Sequence, residues 1–280
     1  MSEKCHVCFR HCVLEEGQIG FCGARICENN KIIPQNYGKL TSLALDPIEK
    51  KPLAHFHPGS YILSVGSYGC NLRCPFCQNY EISYSKEAMQ YRHIETISPK
   101  KLSDLARSYK REGNIGVAFT YNEPLVGYEY IRDTAKLVHD NGMVNVLVTN
   151  GTATLEVYEE LMPYIDAMNI DLKGFNDTYY NDLLGGNREM TMAFIEEAVK
   201  HCHVELTTLI VPDENDSEEE IREMSKWIAS LPSKEPIVLH LSRFFPRYQM
   251  LDKKPTDIEH IYHLVDIAKE ELEYVYTGNC

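Results

Sequence analysis

Gly66-Ser-Tyr-Gly-Cys70-Asn-Leu-Arg-Cys74-Pro-Phe-Cys77-Gln-Asn-Tyr-Glu-Ile-Ser83 sets three cysteines in the spacing Cys-x3-Cys-x2-Cys. It follows an apolar run, Tyr61-Ile-Leu-Ser-Val65, that reads as a strand. The motif supplies three thiolates and not four. Structural zinc takes four closed ligands, and an iron–sulfur cubane is usually held by four cysteines. Three thiolates on a tight loop hold three irons of a cubane and leave the fourth open to the amino and carboxylate groups of a small molecule such as S-adenosylmethionine. The plainer readings are a zinc site with one ligand elsewhere, or buried cysteines without metal. An aromatic (Phe76) before the third cysteine, on a loop just after a strand, favours the cluster.

The chain has 280 residues, 44% apolar and 25% charged, enough to bury a substantial core in one large α/β domain or one domain with a small appendage. No apolar run reaches the roughly 18 residues of a membrane span. The start, Met-Ser-Glu-Lys-Cys-His, lacks the apolar stretch of a signal peptide, so a cytoplasmic protein is expected. Ten cysteines in that setting point to metal or redox use before disulfides. A formal charge of −13 argues against a nucleic-acid footprint.

Residues 1–60 read as a cysteine-rich module with a lead-in, ahead of a main domain at 61–280. Cys5, Cys8, Cys12 and Cys22 give four thiolates in a segment too short to build a core, with Gly17, Gly20 and Gly23 supplying turns. A tetrathiolate zinc would staple it; a second iron–sulfur cluster would also fit and would make it an electron relay. The stretch 31–60 reads as extended segments and turns, broken by Pro47, Pro52 and Pro58.

From residue 61 strands alternate with helices. Strands are expected at 61–67, 115–120, 144–149, 165–172, 204–211 and 236–241, and helices near 99–112, 125–141, 154–163, 189–201, 217–230 and 256–272. This string predicts a parallel sheet with helices outside. Six units suit an incomplete (β/α)6 barrel, and a doubly wound sheet would give the same periodicity. In both, the chemistry belongs at the C-terminal ends of the strands. Polar clusters stand there: Thr120-Tyr-Asn122-Glu123-Pro, Thr149-Asn150-Gly, Asp171-Leu-Lys173-Gly, and His240-Leu-Ser. Asp171 and Lys173 fall on one side of their strand. Asp213 to Ser217 reads as a helix start.

The cysteine loop resembles the signature of the radical S-adenosylmethionine (radical SAM) superfamily. Over nearly the whole chain the sequence is similar to the AmmeMemoRadiSam group, relatives of the pyruvate formate-lyase activating enzymes. The likeness rests on the N-terminal cysteine module, Asp46-Pro-Ile-Glu-Lys-Lys-Pro-Leu, the cysteine loop, and Thr120-Tyr-Asn-Glu-Pro. It extends to Thr149-Asn-Gly, Asp171-Leu-Lys-Gly, His240-Leu-Ser-Arg-Phe-Phe-Pro and Tyr274-Val-Tyr-Thr-Gly-Asn. The resemblance implies a partial radical SAM barrel in which Cys70, Cys74 and Cys77 ligate a [4Fe–4S] cluster, with Phe76 and Gln78 beside the adenine. It implies that Asn122 and Glu123 receive the methionine amine and that Asp171, Lys173 and His240 lie near the cofactor; Thr149 and Asn150, read from their place at a strand end, offer hydroxyl and amide groups to hold a carboxylate or sugar of the cofactor. Two departures stand out: Tyr121-Asn122 replaces a glycine pair, and Val148 stands where activating enzymes carry an aspartate for a monovalent cation.

The implied chemistry is one-electron cleavage of S-adenosylmethionine and abstraction of a hydrogen atom by the 5′-deoxyadenosyl radical. A flavodoxin- or ferredoxin-type donor and a protein substrate or Memo-like partner would go with it. Three readings follow: a glycyl-radical-type activase, a radical enzyme acting on a small molecule, and, from another class, a non-catalytic iron–sulfur or zinc electron-transfer protein.

Overall fold

The apolar runs read from the sequence form the middle of one eight-stranded sheet in the computed structural model, which describes residues 2–83 and 95–280. Its strands are β1 (Ser42–Pro47), β2 (Tyr61–Gly66), β3 (Asn114–Phe119), β4 (Val144–Thr149), β5 (Ala167–Asp171), β6 (His203–Ile210), β7 (Val238–Arg243) and β8 (Tyr274–Gly278). They lie side by side in chain order. From β2 to β8 every pairing is parallel, and only β1 runs antiparallel, against β2.

The connecting helices are α1 (Pro99–Ser108), α2 (Tyr128–Asp140), α3 (Leu155–Leu161), α4 (Arg188–His201), α5 (Glu218–Ala229) and α6 (Ile258–Ala268). Side-chain oxygens fix several of their starts. Ser98, with Pro99 at the first position, accepts from the Lys101 N–H; Asn187 accepts from Met190, Ser217 from Glu220, and Asp257 from Glu259 and His260. Six strand–helix units are therefore followed by a seventh parallel strand. This is the α/β partial barrel expected from the sequence.

Both faces of the sheet are buried, which is why its strands read as near-continuous apolar runs. Leu63, Val65, Val117, Phe119, Leu147 and Met168 pack against the helices. Truncating a residue such as Leu147 to alanine would cost about 2–5 kcal/mol. Alternate residues Ile62, Ala118, Val146 and Ala167 pack instead with Ile48 and Leu53, both fully buried. The segment between β1 and β2 thus plugs the barrel at the N-terminal ends of its strands. It is pinned there by Asn169 Nδ2 donating to Pro52 O and by the Ala54 and His55 N–H groups donating to Glu205.

Three features differ from the sequence reading. β1 and β8 join the sheet, so the stretch 31–60 divides: residues 42–60 supply an edge strand and the plug. The part before residue 41 holds small hairpins, Glu3–Lys4 with Val13–Leu14 and Arg25–Glu28 with Lys31–Pro34. Tyr179–Leu183 forms a π-helical turn that the sequence did not signal. Among the described residues no helix is long and apolar enough to cross a membrane.

Candidate functional site

The loop after β2 is held from several sides. Its Cys70 N–H donates to Cys22 O, Arg73 N–H to Leu184 O, and Pro75 O accepts from Gln249 N–H. The Arg73 guanidinium closes the turn on Cys70 O and Leu72 O and reaches Phe21 O. Gly69 makes the close approach possible. Its φ is +98°, and a Cβ there would fall 2.6 Å from Ala24 Cβ and 2.9 Å from Cys22 O.

The three thiols so placed line one cleft of about 290 Å³ at the C-terminal ends of the strands. Burial pushes all three up, Cys74 to about 11 even with the Lys173 ammonium drawing it down. Cys70 is also raised by Glu123. Holding the three together as thiolates requires a bound cation. Donors are in place for that state: Leu72 N–H to Cys70 Sγ at 3.4 Å and Asn150 Nδ2 to the same sulfur at 3.9 Å. Among the described residues no group of three or more His, Cys, Asp or Glu is gathered tightly enough to hold a single ion as it stands. The three-thiol set, with its open fourth side, fits a cluster.

Phe76, Gln78, Asn122, Glu123, Thr149, Asn150, Asp171 and Lys173 line the same cleft. Glu123 is buried, and burial raises its carboxyl to about 7 against the pull of its donors. Oε1 accepts from Thr149 Oγ1 at 2.7 Å and Leu125 N–H at 3.0 Å; Oε2 accepts from Asn150 N–H at 2.8 Å. The carboxylate is thereby locked across the tops of β3 and β4. Asn122 is spent on its own loop, accepting from Ser67 N–H and donating to Gly69 O. Lys173 Nζ and Asp171 Oδ2 are 2.9 Å apart. Burial would pull the ammonium down, but Asp171 and Cys74 together raise it.

His240 stands outside this set. It is level in register with Thr207, yet its Nε2 reaches back to Glu205 Oε2 at 2.6 Å, two residues nearer the start of β6. Ser242, two residues further along β7, lines the cleft in its place. Glu205 is fully buried; burial would raise it, but His203, His240 and two peptide N–H groups hold it at about 2.

Several lining residues carried no sequence assignment: Asn79, Ser83, Thr207, Leu209 and Asn279. Asn79 and Ser83 close the stretch quoted first and Asn279 ends a motif already noted, whereas Thr207 and Leu209 had no signal beyond their strand. Tyr121, in the glycine-pair position, adopts φ +73°. Its hydroxyl donates to Asp46 at 2.7 Å and its carbonyl accepts from Asn79, which offsets the strain of that backbone. Val148 also lines the cleft.

A family model described as the radical SAM superfamily matches residues 64–227. An uncharacterized protein of Methanocaldococcus jannaschii is 38% identical over 286 residues, covering 99% of this chain and 81% of that protein. A pyruvate formate-lyase-activating enzyme of Clostridium pasteurianum is 28% identical over 197 residues, covering 68% of this chain and 81% of that enzyme. A crystal structure of a domain of the pyruvate-formate lyase-activating enzyme from Bacteroides vulgatus aligns with a TM-score of 0.51 at 22% identity. That match covers 59% of this chain and 99% of that domain, and it speaks to the fold alone. With the family model spanning more than half of its length, the chain belongs to the radical SAM superfamily and is an enzyme resembling the pyruvate formate-lyase activating enzymes.

Proposed function

We propose that this enzyme is an activase of the AmmeMemoRadiSam group, taking its hydrogen atom from a partner protein. Cys70, Cys74 and Cys77 would hold the [4Fe–4S] cluster, with S-adenosylmethionine beside it in the cleft. The observation that carries the reading is the single cleft at the strand ends where three thiols face a buried carboxylate and a Lys–Asp pair. When bound, cluster and cofactor supply reductive cleavage of the sulfonium and abstraction of a hydrogen atom.

The chain's own part is positioning. Glu123, rigidly held by three donors, offers its remaining lone pairs to the methionine ammonium. Lys173 places positive charge beside Cys74 and steadies the anionic thiolates, while Asp171 fixes Lys173. Leu72, Phe76, Val148 and Leu209 give the cleft apolar walls that keep water from the reacting carbon. His240, committed to Glu205, is assigned to the barrel floor.

Two features support a protein substrate over a small molecule. The relative from Clostridium pasteurianum is named for activating another enzyme. Beside the cysteine loop, the stretch tied to it through Gln249 and Pro75 exposes Phe245 and Leu251, and Tyr80 stacks on Tyr248 at 4.3 Å. A flavodoxin- or ferredoxin-type donor would reduce the cluster.

The test is 5′-deoxyadenosine formation by the reduced, cluster-loaded enzyme, with extract of the native cells split into macromolecular and small-molecule fractions. Stimulation by the macromolecular fraction, abolished by trypsin, is expected. Stimulation by the small-molecule fraction alone would replace the activase reading with a small-molecule enzyme. No 5′-deoxyadenosine under any condition would overturn both readings.

A further inference from the structure

The N-terminal cysteines form a second site with a different shape. Cys5, Cys8, Cys12 and Cys22 all line one enclosed cavity, together with Arg10 and Arg25. The chain brings them there by two turns. Cys5 and Cys12 stand beside the small hairpin, joined by Cys5 N–H to Cys12 O at 2.8 Å, with Cys8 in the turn between them, closed by His11 N–H on Cys8 O. Cys22 follows in a second turn, Gly23 N–H to Gly20 O, where Ala24 N–H donates to its sulfur at 3.5 Å. Leu72 N–H makes the same bond, two residues on, to Cys70. None of the four is in a disulfide, and three are buried.

The surroundings are prepared for negative charge. Arg10 is bonded only to carbonyls, Asn71 O and Gly185 O, lies over the Phe21 ring, and has no carboxylate partner among the described residues. Arg25 pairs with Glu129, yet its buried Nε–H has no hydrogen-bond partner among the described residues. Buried cationic donors facing four thiols are poorly explained if the thiols stay neutral. They are accounted for when the set is a doubly charged tetrathiolate complex of a divalent ion.

Size decides which metal. The cavity has room for about 10 Å³, a single atom. A cubane of four irons and four sulfides does not fit that space, and because the four thiols as they stand are not gathered tightly enough to hold an ion, binding one has to draw them inward. Four thiolates alone suit either zinc or an iron–sulfur centre, and it is the small, enclosed space that favours the single ion.

We propose that Cys5, Cys8, Cys12 and Cys22 bind one structural zinc ion that clamps the radical SAM loop, and that they do not carry a second cluster. The clamp is short. Cys22 O receives the Cys70 N–H, and Arg10 grips Asn71, whose Oδ1 accepts from Asn150 Nδ2 above Cys70. The same zinc site gives a redox-inert module, so electrons must reach the cluster by another side.

The decisive measurement is metal and sulfide content of the full-length Cys70→Ala/Cys74→Ala/Cys77→Ala variant after anaerobic reconstitution with iron and sulfide. Retention of about one zinc per chain, with iron and sulfide near background, is expected. Iron and sulfide in place of zinc would make the module a cluster site, and neither metal would remove the site. As an independent measurement, wild-type protein grown with cobalt should show thiolate-to-cobalt charge transfer and tetrahedral d–d bands that shift in Cys12→Ser. Absence of these bands in wild type overturns the proposal even if the variants fold poorly.

Discussion

The peptide N–H of Cys70 donates to the carbonyl of Cys22 over 3.1 Å, so the first cysteine of the loop after β2 hangs from a cysteine of the N-terminal module. Gly69 stands against the same carbonyl and takes the left-handed backbone that lets the two loops touch.

Gly69→Ala is therefore expected to do two things at once. The strained φ and the clash with Ala24 should destabilise the fold by about 1–3 kcal/mol, read as a lower urea midpoint with unchanged slope. Iron retained after reconstitution should fall with it. An unchanged midpoint would mean the loops separate without cost.

Glu123→Gln keeps the size of the side chain and removes its charge. Iron content should stay near wild type, while affinity for S-adenosylmethionine drops about ten- to a hundredfold, the worth of one charge-assisted hydrogen bond of about 1.5–3 kcal/mol. Equilibrium binding to the oxidised enzyme reads this without turnover. Wild-type affinity in the variant would remove Glu123 from the ammonium site.

Lys173→Met takes a cation from beside Cys74. The cluster should form, but its reduction potential should move to more negative values, because the reduced, more anionic state loses the larger stabilisation. A redox titration followed by EPR checks the direction. A positive shift or none would place Lys173 too far away to act.

His240→Ala separates a floor residue from a cofactor contact. It leaves the buried Glu205 carboxylate with one donor fewer, and losing a hydrogen bond to a buried charged group costs about 1.5–3 kcal/mol. Lower thermal stability with near-normal S-adenosylmethionine affinity is expected of a floor residue. The reverse pattern would restore His240 to the cofactor site.

Glu205 also has a pH signature. Its folded-state pKa, about 2, lies below the ordinary carboxylate value near 4.5. The stability it contributes is thus present above that ordinary value and is lost as pH falls through about 2. Glu205→Ala should be less stable than wild type at neutral pH and should show a shallower loss of stability over that acid window in chemical denaturation. Parallel curves would indicate that the carboxylate is no better held in the folded chain than in the unfolded one.

Much of this was legible beforehand because the strands announce themselves. Runs such as Val144-Asn-Val-Leu-Val-Thr149 are buried on both sides, and the polar clusters after them mark the top of a parallel sheet. β1 lay in a stretch read as extended segments and turns and β8 in a motif with no strand assigned, because each is an edge strand with mixed burial. The polar and proline ends of Ser42–Pro47 do not announce a sheet strand until β2 pairs with it. Alternation along β7 shows that His240 points inward, but not at what height: strand tilt and the direction of its ring decide that, and they give the cleft to Ser242. Asp171 and Lys173 needed only alternation. Asn71 and Arg10 had no pattern to reveal them, since their roles depend on contacts between distant segments.

The plug between β1 and β2 has a consequence for the order of events. With Leu53 and Ile48 filling the lower end of the barrel and His55 tied to Tyr276 at the far edge, the cleft opens at the upper end, beside the cysteine loop. If the proposed partner protein seats on that rim, spent 5′-deoxyadenosine and methionine would wait until it departs. Repeated turnover would then be paced by the partner's release, and would slow as partner affinity or solvent viscosity rises.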